Sequence, residues 1–184
     1  MTDRPGLLDT RFSVPVESVE EGQAMSCVRS LREHLDQHHI RYVIISHSQA
    51  FTAQEIAASM HIPGCEMAKT VVVKTDRGLA LVVVRAQDHL DLTRVGYALG
   101  GRAKLAGEDE LAIAFPDCEL GAMPPIGTLY KLPTLVDEEI AKDREIVFNA
   151  GTHTDAMRVW YEEYAELVRP KVLPLAFRPG HMLV

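Results

Sequence analysis

The 184-residue chain has no GxGxxG, no P-loop, no HExxH and no GxSxG, so the commonest nucleotide-binding, zinc-protease and serine-hydrolase signatures are absent. Its three cysteines, Cys27, Cys65 and Cys118, are odd in number, far apart and without a CxxC pair. Neither a disulfide framework nor a cysteine zinc site is expected, and a reducing cytoplasm suits them best. No run approaches the ~18 apolar residues of a membrane span. The opening MTDRPGLLDT places no apolar stretch behind a basic start, so neither secretion nor a membrane partner is expected. Basic residues are also few. A net charge of −7 argues against coating nucleic acid, which needs many lysines and arginines on phosphates, and no DNA partner is expected. A small pocket drawn from Lys69, Lys74, Arg85, Arg102 and Lys104 could still grip a nucleic-acid end.

What is present suffices for one core. With 47% hydrophobic residues and the runs YVII, VVV and LALVVV, the chain is expected to fold as one domain. Residues 1–25 carry Pro5, Gly6, Pro15 and Gly22 without a clean period and read as an extended arm. Val28, Leu31 and Leu35 recur at helical spacing from Ser26 to His38, and Tyr42 to Ile45 reads as a strand. Thr52 and Glu55 form a capping box for a short helix to Met60, stopped by Pro63 and Gly64. KTVVVKTDRGLALVVVR is two β-branched runs about a glycine-containing turn, a hairpin. Asp91 and Thr93 can cap a helix through Leu99 that stops at Gly100 and Gly101, and Pro116 closes another from about Glu108. Strands are expected at Thr134–Val136, Ile146–Phe148 and Ala156–Trp160, and a last helix at Tyr161–Val168. The interleaving lacks a regular βαβ repeat, so the expected class is a mixed α/β or α+β domain over 26–170, followed by a tail at 171–184.

Three segments can carry chemistry. GAMPPIG combines two glycines with adjacent prolines, so the backbone turns tightly and is then stiffened. Prolines lack N–H, leaving Gly121, Ala122, Met123, Ile126 and Gly127 as donors for a developing oxyanion, with a plain rigid connector as the alternative. Lys69 stands before VVV at a strand entrance, suited to anchoring an anionic substrate and not to accepting a proton. NAGTHTD gathers Asn149, Gly151, Thr152 and His153 after a strand, and Asp137 follows another. His34 and His38 lie four apart on a helix but lack a third ligand, so a solvated helix face is expected and no metal.

HSQAFTAQEIAASMHIPGCEMAKTVVVK, GAMPPIG and VFNAGTHTD, in that order, resemble the YbaK/ProX family of aminoacyl-tRNA deacylases, related to the editing insertion of bacterial prolyl-tRNA synthetase. The resemblance spans roughly Ser26 to Val168. It implies a compact fold with a mixed, barrel-like sheet surrounded by helices, and a cleft in which Lys69 faces the loop at Gly121 and the turn at Gly151. It further implies Lys69, Gly121 and Ala122 as catalytic residues, with Met123, Pro124, Pro125, Gly127, Asp137, Asn149, Gly151, Thr152 and His153 around the substrate.

The implied activity is trans-editing: hydrolysis of a wrongly attached amino acid from a tRNA, here a prolyl tRNA carrying a small amino acid. No cofactor is implied, because a substrate hydroxyl can activate the water. The partners would be the acceptor end of an aminoacyl-tRNA and a synthetase. The alternative is a non-catalytic module binding an aminoacyl-tRNA, an adenylated ligand or a synthetase.

Overall fold

The computed structural model describes residues 17–47 and 67–178, the first ten of them as backbone alone. The expected helix between Thr52 and Met60, its stop at Pro63 and Gly64, and Cys65 lie outside the described residues. So do 1–16 and 179–184.

Helix α1 (Glu17–Gln37) precedes β1 (Tyr42–Ser46), and β2 (Ala68–Thr75) and β3 (Gly78–Arg85) follow. β4 (His89–Leu90), α2 (Leu92–Leu99), β5 (Lys104–Leu105) and α3 (Glu108–Ala114) lead to α4 (Gly127–Tyr130) and β6 (Thr134–Asp137). The chain closes with β7 (Glu145–Asn149), β8 (Asp155–Trp160), α5 (Tyr161–Val168), β9 (Lys171–Leu173) and β10 (Ala176–Phe177). The class is mixed α/β. The helix expected from Ser26 begins instead at Glu17, so the last part of the supposed arm is already helical.

Local chemistry explains the elements. The β2–β3 hairpin pairs Ala68 with Arg85 through Thr75 with Gly78, and its turn uses Gly78 at φ 115°. The Asp91 carboxylate accepts from the amides of Thr93 and Arg94, capping α2, and Gly100 ends that helix in the left-handed conformation at φ 74°.

The strands form a three-stranded sheet in the order β1-β8-β7, a five-stranded sheet β5-β2-β3-β6-β9, and a β10-β4 pair. Among the described residues the strands thus lie in separate sheets, which do not support the expected barrel-like sheet. An isolated parallel bridge, Met67 to Val147, sets the start of β2 beside β7. Residues 171–177, assigned to a tail from sequence, are part of the domain: β9 runs parallel to β6, and β10 pairs with β4.

Alternation divides the five-stranded sheet into two faces. Val73, Val82, Val84 and Leu135 pack with Val95 of α2. On the opposite face, Val72 and Leu81 meet Phe115 and Met123, while Ala68 and Val83 join the main core of Leu31, Leu35, Ile146, Phe148, Met157 and Tyr164. The loop from Gly121 and the end of β7 are thereby fixed to the core through Met123, Ile126 and Phe148.

Candidate functional site

Two of the three segments singled out by sequence meet directly. The Glu119 amide donates to Gly151 O at 2.9 Å, the Gly151 amide to Ala122 O at 2.9 Å, and the Ala122 amide to Glu119 O at 3.0 Å. Side chains reinforce this three-way backbone lock. Glu119 Oε2 accepts from the His153 amide at 2.5 Å, and His153 Nε2 lies 3.0 Å from Leu120 O. Gly121, at φ 88°, sits against the imidazole: a Cβ there would be 3.7 Å from His153 Cε1. Thr152 closes the turn, donating to Asp155 Oδ2 at 2.9 Å and accepting from the Asp155 amide at 2.9 Å.

Burial sorts the loop residues. Gly121 is exposed, whereas Ala122, Met123, Pro124, Pro125, Ile126 and Gly127 are buried. Pro125 O accepts the buried Tyr164 hydroxyl at 3.1 Å. A Cβ on Gly127 would fall 2.1 Å from Thr134 Oγ1 and 2.3 Å from Leu132 O, so that glycine permits a close backbone approach. The Ala122 N–H is already occupied by Glu119 O. The Gly121 N–H points at the thioether of Met123 at 3.3 Å, a weak acceptor that a carbonyl oxygen can displace.

Lys69 enters from the neighbouring strand. It shares the α2 face with Val71 and Val73, whereas Met123 packs on the opposite one. Among the described residues no hydrogen bond joins it to the loop. Its ammonium donates to Asp88 O at 2.6 Å and Ala86 O at 3.2 Å, which leaves one of its three protons for a ligand. Burial lowers its pKa below the ordinary lysine value, an effect that Asp88 partly opposes. The Met67–Val147 bridge brings Lys69 and Asn149, each two residues further on, to the same level of adjacent strands. Asn149 is buried, and its side-chain oxygen has no hydrogen-bond partner.

Asp137 does not join this cluster. Its carboxylate accepts from the amides of Leu175 at 2.7 Å, Ala176 at 2.9 Å and Glu139 at 3.0 Å, fastening the last strands to β6. Of the five basic residues proposed as a pocket, Lys74 and Lys104 are cross-strand partners on β2 and β5, but Lys74 and Arg85 are engaged in separate ion pairs. Lys74 pairs with Glu110, and Arg85 pairs with Asp143 at 2.7 Å. His34 is bonded to Thr128 Oγ1 at 3.1 Å, with its ring centroid 4.8 Å from that of His38.

Sequence reasoning missed two features. Glu119 is a single acid whose neighbours carry no motif, and nothing local marks it. Cys27 and Cys118, expected to be unpaired, are joined by a disulfide across 91 residues of sequence, a contact made by the fold alone. Cys27, Asp117 and Cys118 are the three potential metal ligands clustered among the described residues, and the bond between the two sulfurs removes both thiolates as ligands.

The model of the aminoacyl-tRNA editing domain matches residues 47–167, more than half of the chain and all three segments of the site. The chain belongs to this family. Its YbaK/ProX character is supported by proline–tRNA ligases from two strains of Acidithiobacillus ferrooxidans, each 31% identical over 86 residues. Those matches cover 47% of this chain and 15% of each ligase, so the editing domain corresponds to a small part of the curated relatives. Among solved structures, a protein provisionally named as a trans-editing enzyme for prolyl tRNA synthetase superposes with TM-score 0.72 at 24% identity, covering 82% of this chain and 97% of its own. A hypothetical protein gives TM-score 0.74 at 17% identity, covering 80% and 99%. These likenesses establish the fold. Among the described residues, no helix of this editing domain is long and apolar enough to cross a membrane.

Proposed function

We propose that this editing domain hydrolyses the ester joining a wrongly attached amino acid to a tRNA, acting in trans on prolyl tRNA charged with a small amino acid. The observation carrying the reading is the amide of Gly121, an exposed residue at the start of the loop whose N–H is given to the thioether of Met123. A carbonyl oxygen that becomes negative in the tetrahedral transition state is a far better acceptor than sulfur. The donor therefore binds the transition state more strongly than the ground state, as catalysis requires.

The other residues orient. Ala122, Gly151 and His153 hold Gly121 in place through the backbone lock. The remaining proton of the Lys69 ammonium anchors a substrate oxygen, and the Asn149 oxygen accepts from the α-ammonium group of the amino acid. Glu119 Oε2 accepts from the His153 amide, which ties its carboxylate into the lock, and water activation is assigned to a hydroxyl of the substrate. Substrate selection by prolyl tRNA is supported by the proline–tRNA ligases among the relatives and by the name of the solved trans-editing neighbour. A tRNA acceptor end needs only a few local contacts, so the net charge of −7 is no obstacle.

The reading is tested by incubating the purified protein with alanyl, cysteinyl, seryl and prolyl esters of the prolyl tRNA and following ester loss above the uncatalysed rate. Hydrolysis of one small-residue ester, with the prolyl ester spared, supports it. The second reading, a binding module, is favoured by the engagement of the Ala122 amide and of two Lys69 protons in bonds within the protein; it predicts tight binding of the same tRNAs with no turnover.

A further inference from the structure

We propose that Cys27 and Cys118 form a reversible thiol–disulfide site that holds or releases the editing loop according to the surrounding thiol redox poise. The bridge lies directly under the loop lock. Cys27 belongs to α1 and is fully buried; Cys118 is half-buried and immediately precedes Glu119, where the lock begins. Gly151 rests on the bridge: a Cβ there would meet Cys27 Sγ at 2.2 Å and Cys27 Cβ at 2.7 Å. Tyr130 covers the other side, its hydroxyl 3.1 Å from Cys118 Sγ and 3.5 Å from Cys27 Sγ, and its ring edge-on to Phe115.

Two free thiols cannot approach as closely as two bonded sulfurs, so reduction drives the pair apart. Cys27 is held on the buried face of α1 with Gly151 against it, and the displacement therefore falls on Cys118 and on the loop that follows. Glu119 then moves relative to Gly151, and the lock that positions Gly121 loosens.

Oxidation balances with glutathione disulfide as oxidant. The more accessible Cys118 thiolate attacks it and releases one glutathione thiolate. The Cys27 thiolate then attacks Cys118 Sγ in the mixed disulfide and releases the second. Two cysteine thiols and one glutathione disulfide become one protein disulfide and two glutathione thiols, the protons passing to the released thiolates. The reverse sequence restores the thiols.

The consequence for activity rests on the proposed deacylation, but the switch itself is read without substrate. The full chain is equilibrated over a series of glutathione to glutathione disulfide ratios, acid-quenched, alkylated and mapped by mass spectrometry, and both end states are followed by hydrogen exchange. The expected result is a Cys27–Cys118 linked peptide that appears and disappears reversibly while the protein stays folded. Exchange at 119–122 and 151–153 should be several-fold faster in the reduced form and in Cys118→Ser, with Cys65→Ser behaving as wild type. Ester hydrolysis should fall several-fold on reduction and return on reoxidation. The proposal is overturned by absence of the linked peptide at every ratio, by a link that dithiothreitol cleaves only after unfolding, or by identical exchange in both states. A reversible link with changed exchange in a protein that hydrolyses no ester upholds the switch and rejects the deacylase.

Discussion

Gly151 donates its N–H to the carbonyl of Ala122 at 2.9 Å, and this bond joins the turn after β7 to the loop that carries Gly121. The carbonyl of Gly151 simultaneously accepts from Glu119, so one residue is clamped from both directions by a segment some thirty positions away in sequence. The loop is thereby held as a rigid part of the fold, which is what presenting a single oriented donor requires.

Gly151→Ala should be markedly destabilising. The position has φ 103°, and the added methyl meets Cys27 Sγ at 2.2 Å, so backbone strain and overpacking together cost about 2–4 kcal/mol. Gly78→Ala provides the control, because its φ is 115° but nothing lies within 4 Å of the new Cβ. Thermal unfolding of the two variants should show the larger loss for Gly151→Ala; equal losses would deny the tight contact with the cystine.

Asp137→Ala separates a structural carboxylate from a substrate ligand. Removing the acceptor of three backbone amides should cost about 2–4 kcal/mol, seen as a lower unfolding midpoint and faster hydrogen exchange across 171–177. KM of the folded fraction should be unchanged. A raised KM with normal stability would return Asp137 to the substrate site.

Asn149→Ala should show the opposite pattern. The variant discards a buried oxygen that lacks a partner, so stability should hold or improve slightly. Loss of a group that binds the substrate should raise KM roughly tenfold, about 1.4 kcal/mol. Loss of stability with unchanged KM would make Asn149 a packing residue.

The pH profile follows from Lys69. Burial lowers its pKa below 10.5, so its charged, anchoring form is lost on raising pH at a lower value than for an exposed lysine. Enzymatic ester loss, corrected for alkaline hydrolysis, should decline on that limb, and the inflection should disappear in Lys69→Ala. The stability term has the opposite sense. A lysine with a depressed folded pKa binds fewer protons folded than unfolded, so its contribution improves as pH rises from the folded to the unfolded value.

Local patterns in the sequence carried most of the fold. The β-branched runs on either side of Thr75–Gly78, the Asp91 cap and the Gly100 stop define β2, β3 and α2 with nearest-neighbour chemistry. What was not legible depends on distance. β4, β5 and β10 are two residues long and have no period to detect. The strand role of Lys171–Leu173 comes from pairing with β6, and the Cys27–Cys118 bridge comes from α1 crossing the loop. For the site, the order of Lys69, GAMPPIG and GTH pointed to the correct family, yet sequence could not show the close backbone approach at Gly127, the amides gathered on Asp137 or the tie from Glu119 to His153.

The most direct test of the central claim is single-turnover hydrolysis of the alanyl ester of the prolyl tRNA by wild-type protein and by Lys69→Ala, with circular dichroism confirming that both are folded. The expected outcome is ester loss by the wild type well above the uncatalysed rate and a decrease of about a hundredfold or more in the variant, corresponding to about 2.7 kcal/mol of transition-state stabilisation. Equal rates for the two proteins, or tight binding of the tRNA by both with no ester loss, would contradict it.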